Sequence, residues 1–253
     1  MNLKESKGNM YEFITHTWNP MGGRCPHGCA YCYMKYHTYI ERLYLDEREL
    51  RGTCPAKLFI FIGSNTDVFA AEMPSAWINK VLDFCVDVTS NQKDDEKTRF
   101  LLQTKNPARV LEFINHPLLK NGQAVVCTTL ETNRHYPDIM NNAPLIKDRA
   151  KAMAAIADYG VETYVTIEPI MDFDLDEFIG LLKMCKPEQV NIGAESQHFV
   201  QIPQPSEDKL TSLILQLLCF TKVTVKKNLN GEVVTQNLIN RIKQNYSYEK
   251  KVK

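Results

Sequence analysis

Three cysteines lie close together near the start of the chain. Cys25, Cys29 and Cys32 are separated by three and by two residues, and no fourth cysteine lies in the same segment. Three thiolates at such spacing can bind three irons of a cubane cluster and leave the fourth iron open to an exogenous ligand. The segment therefore predicts a 4Fe-4S cluster with one free coordination position.

A structural zinc ion is an alternative for the same thiols, with His27 or His37 as a fourth ligand. Zinc sites usually pair two-residue spacings from two separated knuckles, which is not the pattern of this loop. Cysteines that only pack are a third interpretation, but the loop is rich in glycine and offers few apolar neighbours. The spacing favours the cluster.

Short apolar runs recur along the chain and predict strands that are buried on both faces, as in a parallel sheet. They cover residues 59–62, 99–102, 124–127, 163–167, 189–192 and 222–225, with a first strand near 11–15. Segments with helical spacing separate them, at 75–86, 107–115, 145–159, 175–184 and 208–220. A further helix is expected to begin near Tyr33, directly after the cysteines.

Start and stop signals support these helices. Pro107 suits a first helical turn, Asn142 is a candidate cap for the next long helix, and Gly160 suits its end. Alternating strands and helices predict an α/β fold, a partial (β/α)6 TIM-like barrel with parallel strands. We expect one domain over residues 1–245 and a polar, basic tail over 246–253.

Composition limits the function classes. The 30 Lys and Arg residues balance the 30 Asp and Glu residues, so a polyanion would have to bind a local basic patch. No apolar run approaches the roughly 18 residues that span a bilayer, so membrane insertion and secretion are not expected. The remaining cysteines, such as Cys85 and Cys127, lie mostly in apolar segments, which favours a reducing, cytoplasmic compartment.

The cysteine loop resembles the signature of the radical S-adenosylmethionine superfamily, in which an aromatic residue precedes the last cysteine. Residues 17–20 and 25–33 together are similar to a phage-associated family of unknown function in that superfamily, and more distantly to spore photoproduct lyase. Later segments fit the same pattern, at 63–67, 104–107, 168–169, 193–196 and Lys226. The resemblance covers about residues 11–230.

The resemblance implies an enzyme that cleaves S-adenosylmethionine reductively and abstracts a hydrogen atom from its substrate. It implies that the cofactor is held by Tyr31 at the adenine, by Ser64, Asn65 and Asp67 at the methionine ammonium, by Lys105 at the carboxylate, by Glu131 at the ribose and by Glu168. The resemblance also implies the catalytic residues, which are Cys25, Cys29 and Cys32 together with Glu195 and Lys226. The last two are also candidates for substrate contact.

Plain structural roles remain open for these residues. Tyr31 could be an apolar plug beside the cysteines, and Ser64, Asn65 and Asp67 could form a turn or cap a helix. Lys105 could be solvated, and Glu131 could form an ordinary salt bridge. Glu168, Glu195 and Lys226 could form a structural ion triad.

The resemblance implies a nucleobase in DNA or RNA as the substrate, and an electron donor such as flavodoxin or ferredoxin. A basic strip near the C-terminus is consistent with a phosphate backbone and contains Lys226, Lys227, Arg241, Lys243, Lys250, Lys251 and Lys253. A solvated tail is its plain interpretation. A small-molecule or peptide substrate and a non-catalytic metal- or cluster-binding module are the alternative functions.

Overall fold

The computed structural model describes residues 1–7, 10–37, 40–197 and 200–229. One sheet has the strand order β1-β2-β5-β6-β7-β8-β9-β10. Its strands are β1 (Lys4–Glu5), β2 (His16–Trp18), β5 (Phe59–Ile62), β6 (Arg99–Thr104), β7 (Ala124–Thr129), β8 (Glu162–Ile167), β9 (Gln189–Ile192) and β10 (Lys222–Val225). β1 pairs antiparallel with β2, and the other neighbours pair in parallel. β3 (Met21–Gly22) and β4 (Tyr44–Leu45) form a separate antiparallel pair.

From β5 onward, helices connect the successive parallel strands. They are α1 (Ser75–Thr89), α2 (Pro107–Val110), α3 (Pro117–Lys120), α4 (Pro137–Met140), α5 (Ile146–Asp158), α6 (Leu175–Met184) and α7 (Glu207–Leu217). Side chains point alternately to the two faces of a sheet, so alternate residues of one strand belong to two different hydrophobic cores. One core joins Ile60 and Ile62 to the helices, whereas Phe61 and its counterparts on neighbouring strands form a second, inner cluster. The predicted α/β fold with a mostly parallel sheet is confirmed.

The first predicted strand is wrong. Strand β2 begins at His16, and the preceding segment lies against the inner cluster instead. The hydroxyl of Tyr11 lies 2.9 Å from Gln103 Oε1 and 3.0 Å from Thr166 Oγ1, on β6 and β8. The ring of Phe13 lies 5.6 Å from that of Tyr164. These aromatic side chains therefore fill the inside of the curved sheet.

Three helix expectations need correction. Helix α5 begins at Ile146 with Leu145 as its N-cap, and the side chain of Asn142 binds the cysteine loop instead. The segment predicted as one helix over 107–115 is α2 followed by a short 3-10 turn. Residues Tyr33–Tyr36 also form a 3-10 turn. Pro107 does occupy a first helical turn, and Gly160 follows α5 with a φ of 82°.

No helix within the described residues has the length and apolar character needed to cross a membrane. The predicted tail over 246–253 and the end of the predicted domain lie outside the described residues.

Candidate active site

A cavity of about 550 Å³ lies at the carboxyl ends of the parallel strands. Every predicted site residue except Glu131 contributes to its lining. Tyr11 and Thr66, which were not predicted, and His27, which was considered only as a zinc ligand, also line it. The position follows from the topology, because the carboxyl ends of all parallel strands meet at one edge of the sheet.

The cysteine loop is held by α4 and the residues after it. The amide of Ala30 donates to the carbonyl of Ile139 at 2.9 Å, and the amide of Asn142 donates to that of His27 at 3.0 Å. The side-chain amide of Asn141 donates to the carbonyl of Gly28 at 2.7 Å. Sequence reasoning missed this support, since α4 has only four residues and its contacts are tertiary.

Two of the loop thiols, those of Cys25 and Cys29, lie in surroundings that disfavour a free thiolate. Burial, followed by the nearby Asp67 carboxylate, raises the pKa of Cys25 to about 12, although the amides of Asp67 and His27 act in the opposite direction. Burial also raises the pKa of Cys29. A coordinating metal deprotonates such thiols outright, so these side chains suit metal coordination better than free nucleophiles.

Three thiols are the donor type that an iron–sulfur cluster takes. In a cubane each iron takes its own thiolate, so three cysteines from separate positions suit it. His27, the alternative fourth zinc ligand, instead contacts Asp67.

Asp67 is a junction between three segments. Its Oδ2 lies 2.8 Å from His27 Nε2, 3.0 Å from Thr104 Oγ1 and 2.8 Å from the amide of Lys105, and its Oδ1 accepts from the amide of Phe69 at 2.9 Å. Burial would raise the pKa of this carboxyl, but the hydrogen bonds, led by that of His27, hold it below its usual value. Both carboxylate oxygens of Asp67 are therefore engaged by groups of the protein itself.

The turn after β5 presents polar atoms that the described residues leave unpartnered. Asn65 Oδ1 and Thr66 Oγ1 are buried without a hydrogen-bond partner there, and both residues line the cavity. Ser64 donates to Asn19 Oδ1 at 3.1 Å. An unpaired buried polar atom is costly unless a ligand or water satisfies it, so this turn is suited to bind a ligand.

A buried network lies behind Tyr31. Glu131 is fully buried, and it accepts from Lys105 Nζ at 2.8 Å, from Arg149 Nη1 at 2.9 Å and from the hydroxyl of Tyr31. Burial would raise the pKa of Glu131, but Arg149 and Lys105 lower it to about 2. Arg149 was missed, because nothing in the amphipathic pattern of α5 marks one charged residue as buried.

A second ion pair occupies the wall formed by the last strands. Lys226 Nζ donates to both carboxylate oxygens of Glu168, at 2.8 and 2.7 Å, and lies 4.7 Å from the centroid of the Tyr11 ring. A Cβ on Gly193 would lie only 2.9 Å from Glu168 Cδ, so glycine is needed there. Glu195 is buried in the same wall.

Lys226 does not belong to the predicted basic strip on the surface. It is buried and paired with Glu168, whereas its neighbour Lys227 is exposed and lies 3.8 Å from Glu12. The other members of the strip lie outside the described residues.

No family model and no curated protein matches the chain. A mutant spore photoproduct lyase with dinucleoside spore photoproduct matches with a TM-score of 0.64 and 10% identity, over 86% of this chain and 78% of the lyase. A second mutant lyase, with bound AdoMet and the same dinucleoside, matches with a TM-score of 0.64, 11% identity and the same coverage.

SuiB from Streptococcus suis, bound to S-adenosylmethionine, matches with a TM-score of 0.52 and 14% identity, over 83% of this chain and 49% of SuiB. A further SuiB structure contains the precursor peptide SuiA. Likeness at such identities shows the fold alone. The chain therefore shares the curved, mostly parallel α/β fold of spore photoproduct lyase and SuiB.

Proposed function

We propose that the chain is a radical S-adenosylmethionine enzyme that binds a 4Fe-4S cluster through Cys25, Cys29 and Cys32. The observation that carries the proposal is the position of the three thiols, all from one loop, in the same cavity as the unpartnered polar atoms of Asn65 and Thr66. When bound, the cluster and S-adenosylmethionine supply a 5′-deoxyadenosyl radical that abstracts a hydrogen atom from the substrate.

The turn after β5 and the end of β6 suit the methionine part of the cofactor. Asn65 Oδ1 and Thr66 Oγ1 accept hydrogen bonds from its ammonium, beside the expected Ser64. Lys105 uses one N–H on Glu131, and an ammonium group has three donors, so it can also contact the methionine carboxylate.

Asp67 and Glu131 take positioning roles in this proposal instead of the direct contacts expected from the resemblance. Four hydrogen-bond contacts already surround Asp67. Glu131 lies outside the cavity lining and fixes the ring of Tyr31, which faces the cavity. Tyr31 is thereby held rigidly where the adenine is expected.

The wall of Tyr11, Glu168, Glu195 and Lys226 contacts the substrate. The Glu168–Lys226 pair is held against Gly193, which gives this wall a fixed shape before the substrate enters. A rigid wall places one substrate hydrogen near the radical and limits access of water.

A nucleobase in DNA or RNA is the substrate that we propose. Its support is the coverage of the neighbours: the chain matches 78% of the lyase structure with a dinucleoside lesion, but 48% of the SuiB structure with a precursor peptide. Membership of the phage-associated family and an electron donor such as flavodoxin or ferredoxin remain parts of the proposal.

Anaerobic reconstitution with iron and sulfide, followed by dithionite and S-adenosylmethionine, tests the reaction. Wild-type protein should form 5′-deoxyadenosine, and a folded Cys32→Ala variant should not. DNA or RNA oligonucleotides should raise the yield, whereas peptides should not. If wild-type protein forms no 5′-deoxyadenosine, the proposed enzymatic activity is refuted. If only peptides raise the yield, the proposed nucleobase substrate is refuted.

A further inference from the structure

We propose that His27 and Asp67 form a positioning pair that fixes Cys25 relative to Lys105 and thereby holds the cluster in place beside the cofactor. The proposal rests on the proposed function, because it requires a cluster on Cys25. It assigns His27 a role in the protein's own framework, although this residue stands between two of the metal-binding cysteines.

The pair joins separate parts of the chain inside the protein. His27 and Asp67 are 5% and 9% exposed, and His27 Nε2 lies 2.8 Å from Asp67 Oδ2. The same oxygen binds the hydroxyl of Thr104 and the amide of Lys105. One carboxylate therefore connects the cysteine loop, the turn after β5 and the end of β6.

The pair also lies close to Cys25. His27 follows Cys25 by two residues, and the backbone amides of His27 and Asp67 both act to lower the pKa of the Cys25 thiol, which burial raises. A displacement of either residue would therefore change the surroundings of this sulfur. Hydrogen bonds to the ligands of a metal centre orient those ligands and tune the metal, and their loss typically lowers metal affinity or activity by about 10- to 100-fold.

A pair with only a general structural role would behave differently. Its loss would lower the melting temperature, yet a cluster in the folded protein would be retained as well as before. The rate at which a reconstituted cluster loses iron to a chelator distinguishes the two roles, because this rate reports the hold on the metal in folded protein.

His27→Leu and His27→Gln form the central comparison. Leucine removes the donor to Asp67, whereas the amide of glutamine can replace it. We expect His27→Leu to lose iron about tenfold faster than wild type, and His27→Gln to stay close to wild type. The EPR spectrum of the reduced cluster should change in the leucine variant and be restored by glutamine.

His116→Leu is the matched control. His116 Nε2 lies 2.9 Å from Asp83 Oδ1 and its side chain is mostly buried, but neither residue lines the cavity. This variant should lose stability and keep the wild-type rate of iron loss. Asp67→Asn is the second variant if His27→Leu does not fold, and it should also accelerate iron loss.

The outcomes separate this proposal from the proposed function. Wild-type protein that takes up no iron would refute both. A wild-type cluster with equal iron loss in wild type, His27→Leu, Asp67→Asn and His116→Leu would refute the positioning pair alone. Equal acceleration in His27→Leu and His27→Gln would also overturn it, because the donor would then be irrelevant.

Discussion

The carboxylate of Glu131 is surrounded by Arg149, Lys105 and Tyr31, and both Glu131 and Arg149 are fully buried. Removing one partner of a buried pair typically destabilises a protein by about 3–5 kcal/mol, because the other charge stays buried without compensation. We expect a loss of this size in the free energy of unfolding for Glu131→Gln, measured by urea denaturation.

The control for this prediction is Glu112→Gln. Glu112 pairs with Arg109 at 2.7 Å, but its side chain is 52% exposed. Exposed pairs contribute about 0–1 kcal/mol, so this variant should be nearly neutral. Similar small losses in both variants would contradict a structural role for the Glu131 network.

The same residue predicts a dependence of stability on pH. The pKa of Glu131 is lowered from 4.5 to about 2 in the folded protein. A lowered folded-state pKa stabilises the protein above the unfolded value, and that contribution is lost as the pH falls from about 4.5 towards 2. Wild-type Tm should therefore fall more steeply than that of Glu131→Gln over this range, and parallel curves would contradict the assignment.

Gly193→Ala tests the wall that we assign to the substrate. The added Cβ would lie 2.9 Å from Glu168 Cδ, so the carboxylate must move. Misplacement of active-site groups by about 1 Å can reduce rates by about 100-fold, and we expect substrate-stimulated 5′-deoxyadenosine formation to fall at least tenfold. Gly180→Ala, whose Cβ meets nothing within 4 Å, should keep the wild-type rate; equal rates in both variants would contradict the role of Glu168.

At the scale of elements, the short helix α4 supports the cysteine loop. Asn141 has a φ of 48° and its side chain donates to the carbonyl of Gly28 at 2.7 Å. Asn141→Gly removes this bond and suits the backbone, whereas Asn141→Ala removes the bond and adds strain. Both should lose iron faster than wild type, and alanine should have the lower Tm. Unchanged iron loss in both would show that the side chain of Asn141 does not support the loop.

The strands were largely predictable and the shorter supports were not. Runs such as 59–62 are continuous, apolar and β-branched or aromatic, which identifies a strand buried on both faces. Residues 11–15 have a similar composition, but they fill the inside of the sheet, and composition does not separate these two buried positions. Their contacts with Gln103 and Thr166 arise only from the folded topology.

The candidate site shows the same division. The spacing of Cys25, Cys29 and Cys32 is local, so the sequence alone predicts a metal-binding loop. The His27–Asp67 contact and the position of Arg149 depend on residues that are distant in sequence. Thr66 had a usable signal, because it stands in the polar turn after a buried strand, between two residues that were selected.

At the scale of the whole molecule, the cavity has two walls. β5, β6 and the cysteine loop supply the thiols, the polar turn and Lys105, whereas β8, β9 and β10 supply Glu168, Glu195 and Lys226. The segment of Tyr11 extends across the inside of the sheet to both β6 and β8. In the function that we propose, the cofactor binds to the first of these walls and the substrate to the second.

EPR spectroscopy of the anaerobically reconstituted, reduced protein tests the central claim most directly. The account predicts a 4Fe-4S signal whose g-values change when S-adenosylmethionine is added, because one iron is open to this ligand. The cluster signal should be lost in a folded Cys29→Ala variant. A colourless protein that binds zinc at these cysteines, or a cluster signal that S-adenosylmethionine leaves unchanged, would contradict the account.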